Sequence, residues 1–185
     1  MALLAKKQFS RETAKNFKIF HGSNKFIKIA RLHLAKLLRS DQISDLQELF
    51  SDLDADNSGT LSCREIKKLL EKEIKKTNNT SAIKVSHLFG NLDVDHDGEI
   101  SYLEFIAGFM NTQQWAKKEM LQKIFDKFDL QKTQKLTRDD LMAVLSDGKS
   151  DENAILIEEL LEKFDLDHDG NLTYNEFEAV MLSET

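Results

Sequence analysis

The 185 residues include no proline, one cysteine, one tryptophan and seven glycines. With no imino acid to interrupt a hydrogen-bond ladder, the composition favours helices. Cys63 stands alone, so no internal disulfide can form, and a reducing, intracellular and cytoplasmic setting is expected. There the Asn78-Asn79-Thr80 sequon is a polar loop. No apolar run approaches the ~20 residues of a membrane span, and the opening Met1-Ala2-Leu3-Leu4 fits neither a secretory signal nor a Met-Gly myristoylation start. No nucleophile, general base or cofactor-binding constellation stands out, which argues against catalysis by the chain itself. What is present, 41% hydrophobic and 31% charged residues, is the composition of a soluble globular protein with one large domain or two small ones.

The net charge of −6 conceals a division. Residues 1–40 carry ten Lys or Arg against the single acid Glu12, a net +9. Of the chain's 26 basic and 32 acidic residues, 16 and 31 are left for residues 41–185, a net −15. A basic arm precedes an acidic body. Opposition of this kind serves separate partners or brings the two halves together.

The body is repetitive. LFSDLD, LFGNLD, IFDKFD and LLEKFD end at Asp54, Asp93, Asp129 and Asp165. In each, two adjacent bulky residues and a third three positions on mark the buried face of a helix that stops at the aspartate. Eleven residues after each aspartate a second apolar-periodic segment begins: EIKKLL, EFIAGFM, DLMAVL and EFEAVM. The repeating unit is a helix, a twelve-residue loop and a helix.

Three of the loops, DADNSGTLSCRE (54–65), DVDHDGEISYLE (93–104) and DLDHDGNLTYNE (165–176), fit the EF-hand calcium pattern. A hard cation of that size takes six to eight oxygens, supplied from positions 1, 3, 5, 7, 9 and 12. The expected ligands are Asp54, Asp56, Ser58, the Thr60 carbonyl and Glu65 in the first loop. In the second they are Asp93, Asp95, Asp97, the Glu99 carbonyl and Glu104, with a water held by Ser101. In the last they are Asp165, Asp167, Asp169, the Asn171 carbonyl and Glu176. Gly59, Gly98 and Gly170 stand at position 6, where the sharp turn strains any side chain. Three calcium ions are therefore expected.

The loop DLQKTQKLTRDD (129–140) breaks the pattern while keeping its frame. Gln131 and Thr133 offer neutral oxygens, and Asp140 is one methylene shorter than glutamate. Gln134 replaces the turn glycine, and a left-handed conformation there costs about 1–2 kcal/mol. Two ligand carboxylates face Lys132, Lys135 and Arg138, which weaken the field further, so this loop is expected to stay empty. Leu136 nevertheless holds position 8, where a short strand pairs with the partner loop at Leu172. Ile124, Phe125, Phe128, Leu141 and Val144 keep the apolar faces, which points to a structural role.

One hand cannot bury its apolar face alone, so hands pair. The expected fold is all-α, with a lobe over residues 41–112, a second over 113–185, and the basic segment 1–40 ahead of them. Asn111 to Lys118 would link the lobes, with Trp115 as a packed linker residue or a partner contact. Met110, Met142 and Met181 fall on exit helices, where they suit an adaptable groove or plain core.

In the basic arm, His21-Gly22-Ser23-Asn24 interrupts a helical pattern, and Ser23 or Asn24 can cap the helix that follows. Phe26, Ile27, Ala30, Leu34, Leu37 and Leu38 recur at helical spacing among Lys25, Lys28, Arg31, Lys36 and Arg39. A basic amphipathic helix from Asn24 to Arg39 reads as membrane-surface or calmodulin-target-like. Fusion to an acidic two-lobed body favours a target in cis. Nucleic acid is not expected as a partner, and membrane contact stays open. His21 and His33 read as helix-surface or boundary residues.

The string KNFKIFHGSNKFIKIARLHLAKLL, running on into SDQISDLQELFSDLDADNSGTLSCRE, resembles the regulatory end of a calcium-dependent protein kinase. This is the plant and protist family with a calmodulin-like domain fused behind the kinase. The resemblance implies that residues 10–39 correspond to an autoinhibitory, lobe-binding junction. It also implies that calcium rearranges the lobes around the junction and frees a serine/threonine kinase domain in the parent protein, which is open to membrane association. The third loop departs from the family's four-site pattern. No Gly-rich loop, HRD or DFG occurs here, so the chain itself is not expected to be an enzyme. The alternative is a free-standing calmodulin- or centrin-like sensor that binds partner helices in trans.

Overall fold

The computed structural model describes residues 11–68, 85–146 and 150–183, and the 78–80 sequon lies outside them. The described residues fall into two units, one of residues up to His21 with Leu38–Asn111, the other of Gly22–Leu37 with residues from Thr112 on. Both are helical, with two-residue strands only, as expected of an all-α EF-hand fold.

In the first unit lie α1 (Arg11–Gly22), α3 (Ser40–Leu53), β1 (Thr60–Leu61), α4 (described over 63–68), α5 (Val85–Leu92), β2 (Ile100–Ser101) and α6 (Tyr102–Phe109). β1 and β2 pair antiparallel, with Leu61 opposite Ile100. Both of those side chains are buried, so the ladder joins the two loops over the core. Phe50 packs edge-on against Phe105 and Tyr102, at 5.4 and 5.2 Å between ring centroids. Onto this core α1 adds Phe17 and Phe20. The Phe17 ring stacks 5.4 Å from Phe109, and the buried Asn16 amide donates to the Phe109 carbonyl at 3.2 Å. That carbonyl belongs to the last turn of α6, whose acceptors have no partner within the helix. Gly108 lets α5 pack closely on α6: a Cβ there would fall 2.2 Å from Leu92 Cδ2.

The second unit holds α2 (Lys25–Ala35), α7 (Thr112–Trp115), α8 (Lys118–Phe128), β3 (Lys135–Leu136), α9 (Arg138–Val144), α10 (Ser150–Phe164), β4 (Leu172–Thr173) and α11 (Tyr174–Leu182). β3 and β4 pair antiparallel with Leu136 opposite Leu172, the register anticipated from position 8 of each loop. Asn24 caps α2 by accepting from the Ile27 amide at 3.0 Å. Phe26, Ile27, Ala30 and Leu34 are buried, with Phe26 edge-on to Phe128 and Phe177 at 5.9 and 6.2 Å. Each of these large side chains contributes roughly 1.5–3 kcal/mol on burial, so α2 completes the core of this unit. A polar anchor sets its start: Lys25 Nζ donates to the Leu145 carbonyl (3.1 Å) and to Asn153 Oδ1 (2.9 Å). Asn153 Nδ2 donates to the same carbonyl at 2.9 Å.

The structure revises three expectations. The helix anticipated from Asn24 to Arg39 ends at Ala35, and Leu37 is 39% exposed. Its last turn closes with Leu37 N donating to the Leu34 carbonyl at 2.9 Å, and Arg39 is already the extended N-cap of α3, its amide donating to the Gln42 side chain at 2.9 Å. Arg31 does not join the basic face: it is buried, with its guanidinium 5.4 Å from the centroid of buried Trp115, a cation–π arrangement that offsets desolvation. The break anticipated over His21 to Asn24 is shorter: α1 runs through Gly22, and Ser23 and Asn24 alone separate it from α2.

Candidate metal centres

Each loop is folded by its own side chains before any cation is considered. At position 1, Asp54 accepts from the amides of Ser58 and Gly59, both at 2.9 Å. Asp165 accepts from Asp169 N and Gly170 N, at 3.3 and 2.8 Å. At position 12, Glu65, Glu104 and Glu176 reach back to the amides of Ala55, Val94 and Leu166 at 2.9, 2.7 and 2.8 Å. The second oxygen of each accepts from the amide and hydroxyl of the position-9 residue, Ser62, Ser101 or Thr173. Ser101 and Thr173 are thereby N-caps of α6 and α11 in capping boxes. Ser101, expected from its position to hold a water, thus has a second duty as a cap, one that the S/T-x-x-E spacing encodes. The backbone explains the glycines: Gly59, Gly98 and Gly170 have φ of 85°, 89° and 81°. Position 4 is also left-handed in every loop, at Asn57, His96, Lys132 and His168, with φ between 56° and 61°.

Among the described residues, three groups of carboxylates converge with ligand atoms within 4.8 Å of one another: Asp54, Asp56 and Glu65; Asp93, Asp95 and Glu104; Asp165, Asp167 and Glu176. Of the anticipated carboxylate ligands, Asp97 and Asp169 stand outside these groups. Ser58 Oγ donates to the Thr60 carbonyl at 3.1 Å, and the Thr60 hydroxyl meets the Glu99 carboxylate. Asp97 accepts from Glu99 N, and Asp169 from both nitrogens of Asn171.

The donor set suits a hard divalent cation: oxygens only, carboxylate-rich, with one long glutamate per loop. One atom supports the fit directly. Asp93 Oδ1 is buried and has no hydrogen-bond partner, which is costly for a carboxylate oxygen unless a cation faces it. Burial pushes Glu104 above the usual carboxylate range despite its hydrogen bonds. Glu65 is held below that range, chiefly by the Ser62 hydroxyl. For Glu176 burial works the other way, but the bonds from Thr173 and Leu166 outweigh it.

The loop 129–140 has the same fold with another chemistry. Asp129 accepts from Thr133 N and Gln134 N at 2.9 and 2.8 Å. Asp140 reaches Leu130 N at 3.0 Å and the Thr137 amide and hydroxyl at 2.9 and 2.7 Å. Its shorter side chain thus still closes the loop. Gln134 is left-handed, with φ 65°, as its place at position 6 requires. The three cations expected to weaken this loop's field point elsewhere. Lys132 Nζ donates to the Asp126 carbonyl, Arg138 pairs with Glu158, and Lys135 pairs with Asp169 of the fourth loop. Side chains of this length reach past their own loop, and local sequence does not reveal where.

The profile of the EF-hand domain pair matches residues 43–110 and 118–182, and the chain belongs to that family. EF-hand domains bind calcium, and the acidic clusters of three loops are placed accordingly. The chain is 33% identical over 164 residues to calcium-dependent protein kinase 2 of Zea mays, covering 89% of this chain and 31% of that protein. It is 32% identical over 166 residues to calcium-dependent protein kinase 33 of Arabidopsis thaliana, covering 90% and 31%. With calcium-dependent protein kinase 19 of Oryza sativa subsp. japonica the identity is 33% over 164 residues, covering 89% and 30%. The chain spans about a third of the length of these relatives. No helix among the described residues is long and apolar enough to cross a membrane.

Proposed function

We propose that the chain is the calcium-sensing regulatory part of a serine/threonine protein kinase. In this reading residues 1–40 act as a junction, residues 41–112 and 113–185 as lobes, and the kinase domain belongs to the same parent protein. The metal ligands are the residues anticipated at positions 1, 3, 5, 7 and 12 of the loops beginning at Asp54, Asp93 and Asp165, with the loop 129–140 empty. Occupancy of three loops biases the lobes toward a state that holds the junction in cis and releases the kinase from autoinhibition.

The observation that carries the reading is the seating of α2: Phe26, Ile27 and Leu34 are buried in the second unit, beside two hands that include one acidic cluster. A bound calcium ion would supply two positive charges among the converging carboxylates. Each glutamate at position 12 ties its loop to the first turn of an exit helix, so ligand movement is passed to that helix. Shifting a population from 1:99 to 99:1 takes ~5.5 kcal/mol of differential affinity. Shared among three loops, that is about 1.8 kcal/mol each, roughly a twenty-fold preference per site.

Titration calorimetry of the full chain should give three calcium ions per molecule; four sites contradict the empty third loop, and two or fewer contradict the switch. In the parent kinase, Glu→Gln changes at Glu65, Glu104 and Glu176 together should abolish calcium activation. Activation that survives all three changes counts against the regulatory role.

A further inference from the structure

The second and fourth loops offer the same acidic set: three aspartates at positions 1, 3 and 5 and a glutamate at 12. What differs is the residue presented by the partner loop. In the first unit, Thr60 stands at position 7 of loop one and its neutral hydroxyl meets Glu99, whose expected ligand atom is its backbone carbonyl. In the second unit the equivalent residue is Lys135. It lies on β3 opposite Thr173, at the edge of the fourth loop, and its ammonium pairs with the side chain of Asp169. Resting on the calcium reading of the fourth loop, we infer that Lys135 is a tethered competitor for that site: the third hand, expected to hold no ion itself, sets the affinity of its partner.

The geometry accounts for the competition. Asp169 at position 5 stands outside the converging group of Asp165, Asp167 and Glu176, as Asp97 stands outside that of the second loop; what sets Asp169 apart is its partner, since it pairs with Lys135 Nζ while also accepting from the Asn171 amides at 2.9 and 3.0 Å. To serve as a ligand it must give up the ammonium. A cation so placed neutralises part of the negative field before calcium arrives, and repels it afterwards. The pair is partly open to solvent, so salt screens the effect.

The test is a calcium chloride titration of the full chain followed at the amide signals of Gly98 and Gly170, which report the second and fourth loops separately. Lys135→Met keeps the aliphatic stem and removes the charge. It should tighten the Gly170 transition about fivefold at ~0.1 M salt, the upper end for an exposed ion pair, and leave Gly98 in place. Lys135→Arg should stay near wild type. At ~1 M potassium chloride, where the screening length is about 3 Å, wild type and Lys135→Met should converge. Equal affinities in the two proteins at low salt, or an equal displacement of Gly98, overturn the role of Lys135. A Gly170 signal that responds in neither protein overturns the calcium reading of the fourth loop, and this inference with it.

Discussion

His33 illustrates how far one residue's chemistry is set by its neighbours. Its imidazole lies edge-on to Phe128 at 5.3 Å, and Lys127 Nζ stands 2.8 Å from Nδ1, a contact that requires an unprotonated acceptor. Burial, reinforced by Lys127 and Lys36, lowers its pKa to about 4. The unfolded chain therefore takes up the proton more readily than the folded one. The contribution to stability is complete above pH ~6.5 and is lost as pH falls toward 4. Thermal melts of wild type and His33→Gln should run parallel above pH 7 and converge as pH drops to 5; parallel curves throughout would remove His33 as the cause. At Gln134 the issue is conformational. Glycine at φ 65° would relieve about 1–2 kcal/mol of strain and cost roughly 0.4–1 kcal/mol of unfolded-state entropy. Gln134→Gly should therefore be stabilised by about 0.5–1 kcal/mol in urea unfolding without gaining a calcium site, because the loop's charge is unchanged.

At the scale of elements, periodicity told which faces are apolar but not what they meet. The phase of the four loop motifs was enough to place Leu136 against Leu172, since both fall eight residues into repeats of fixed geometry. The basic arm carried no comparable reference point. Its break was legible within His21 to Asn24, where the helices part at Ser23 and Asn24, whereas the packing of α1 on Phe109 and of α2 on Phe128 and Phe177 depends on long-range contacts. Arg31 shows why composition misleads there: a basic residue at helical spacing reads as solvent-facing unless the position of Trp115 is known. The anchor of α2 was hidden for the same reason, since Lys25 and Asn153 are 128 residues apart. Lys25→Met removes the donor to the buried Asn153 oxygen and should cost about 1–3 kcal/mol. A double-mutant cycle with Asn153→Leu should recover at least ~0.5 kcal/mol of that loss, and strict additivity would show that the two side chains act independently.

Across the whole chain, the basic segment is energetically part of the fold in each unit. In the first, α1 brings Phe17 and Phe20 into the core; in the second, α2 brings Phe26, Ile27, Ala30 and Leu34. At roughly 1.5–3 kcal/mol per large side chain, each helix contributes several kcal/mol, comparable with the ~5–15 kcal/mol that stabilises an ordinary domain. Removing residues 1–40 also takes away a net +9 and leaves a body of net −15, so self-repulsion rises as the apolar faces are uncovered. The truncated chain should bind an apolar dye more strongly in calcium and melt at lower temperature. A peptide spanning residues 11–39, added in trans, should reverse both changes and do so less well as salt rises, because charge and apolar contact act together. Dye binding and melting that are indifferent to the truncation would mean that the lobes close without the arm, and the buried faces of α1 and α2 would need another explanation.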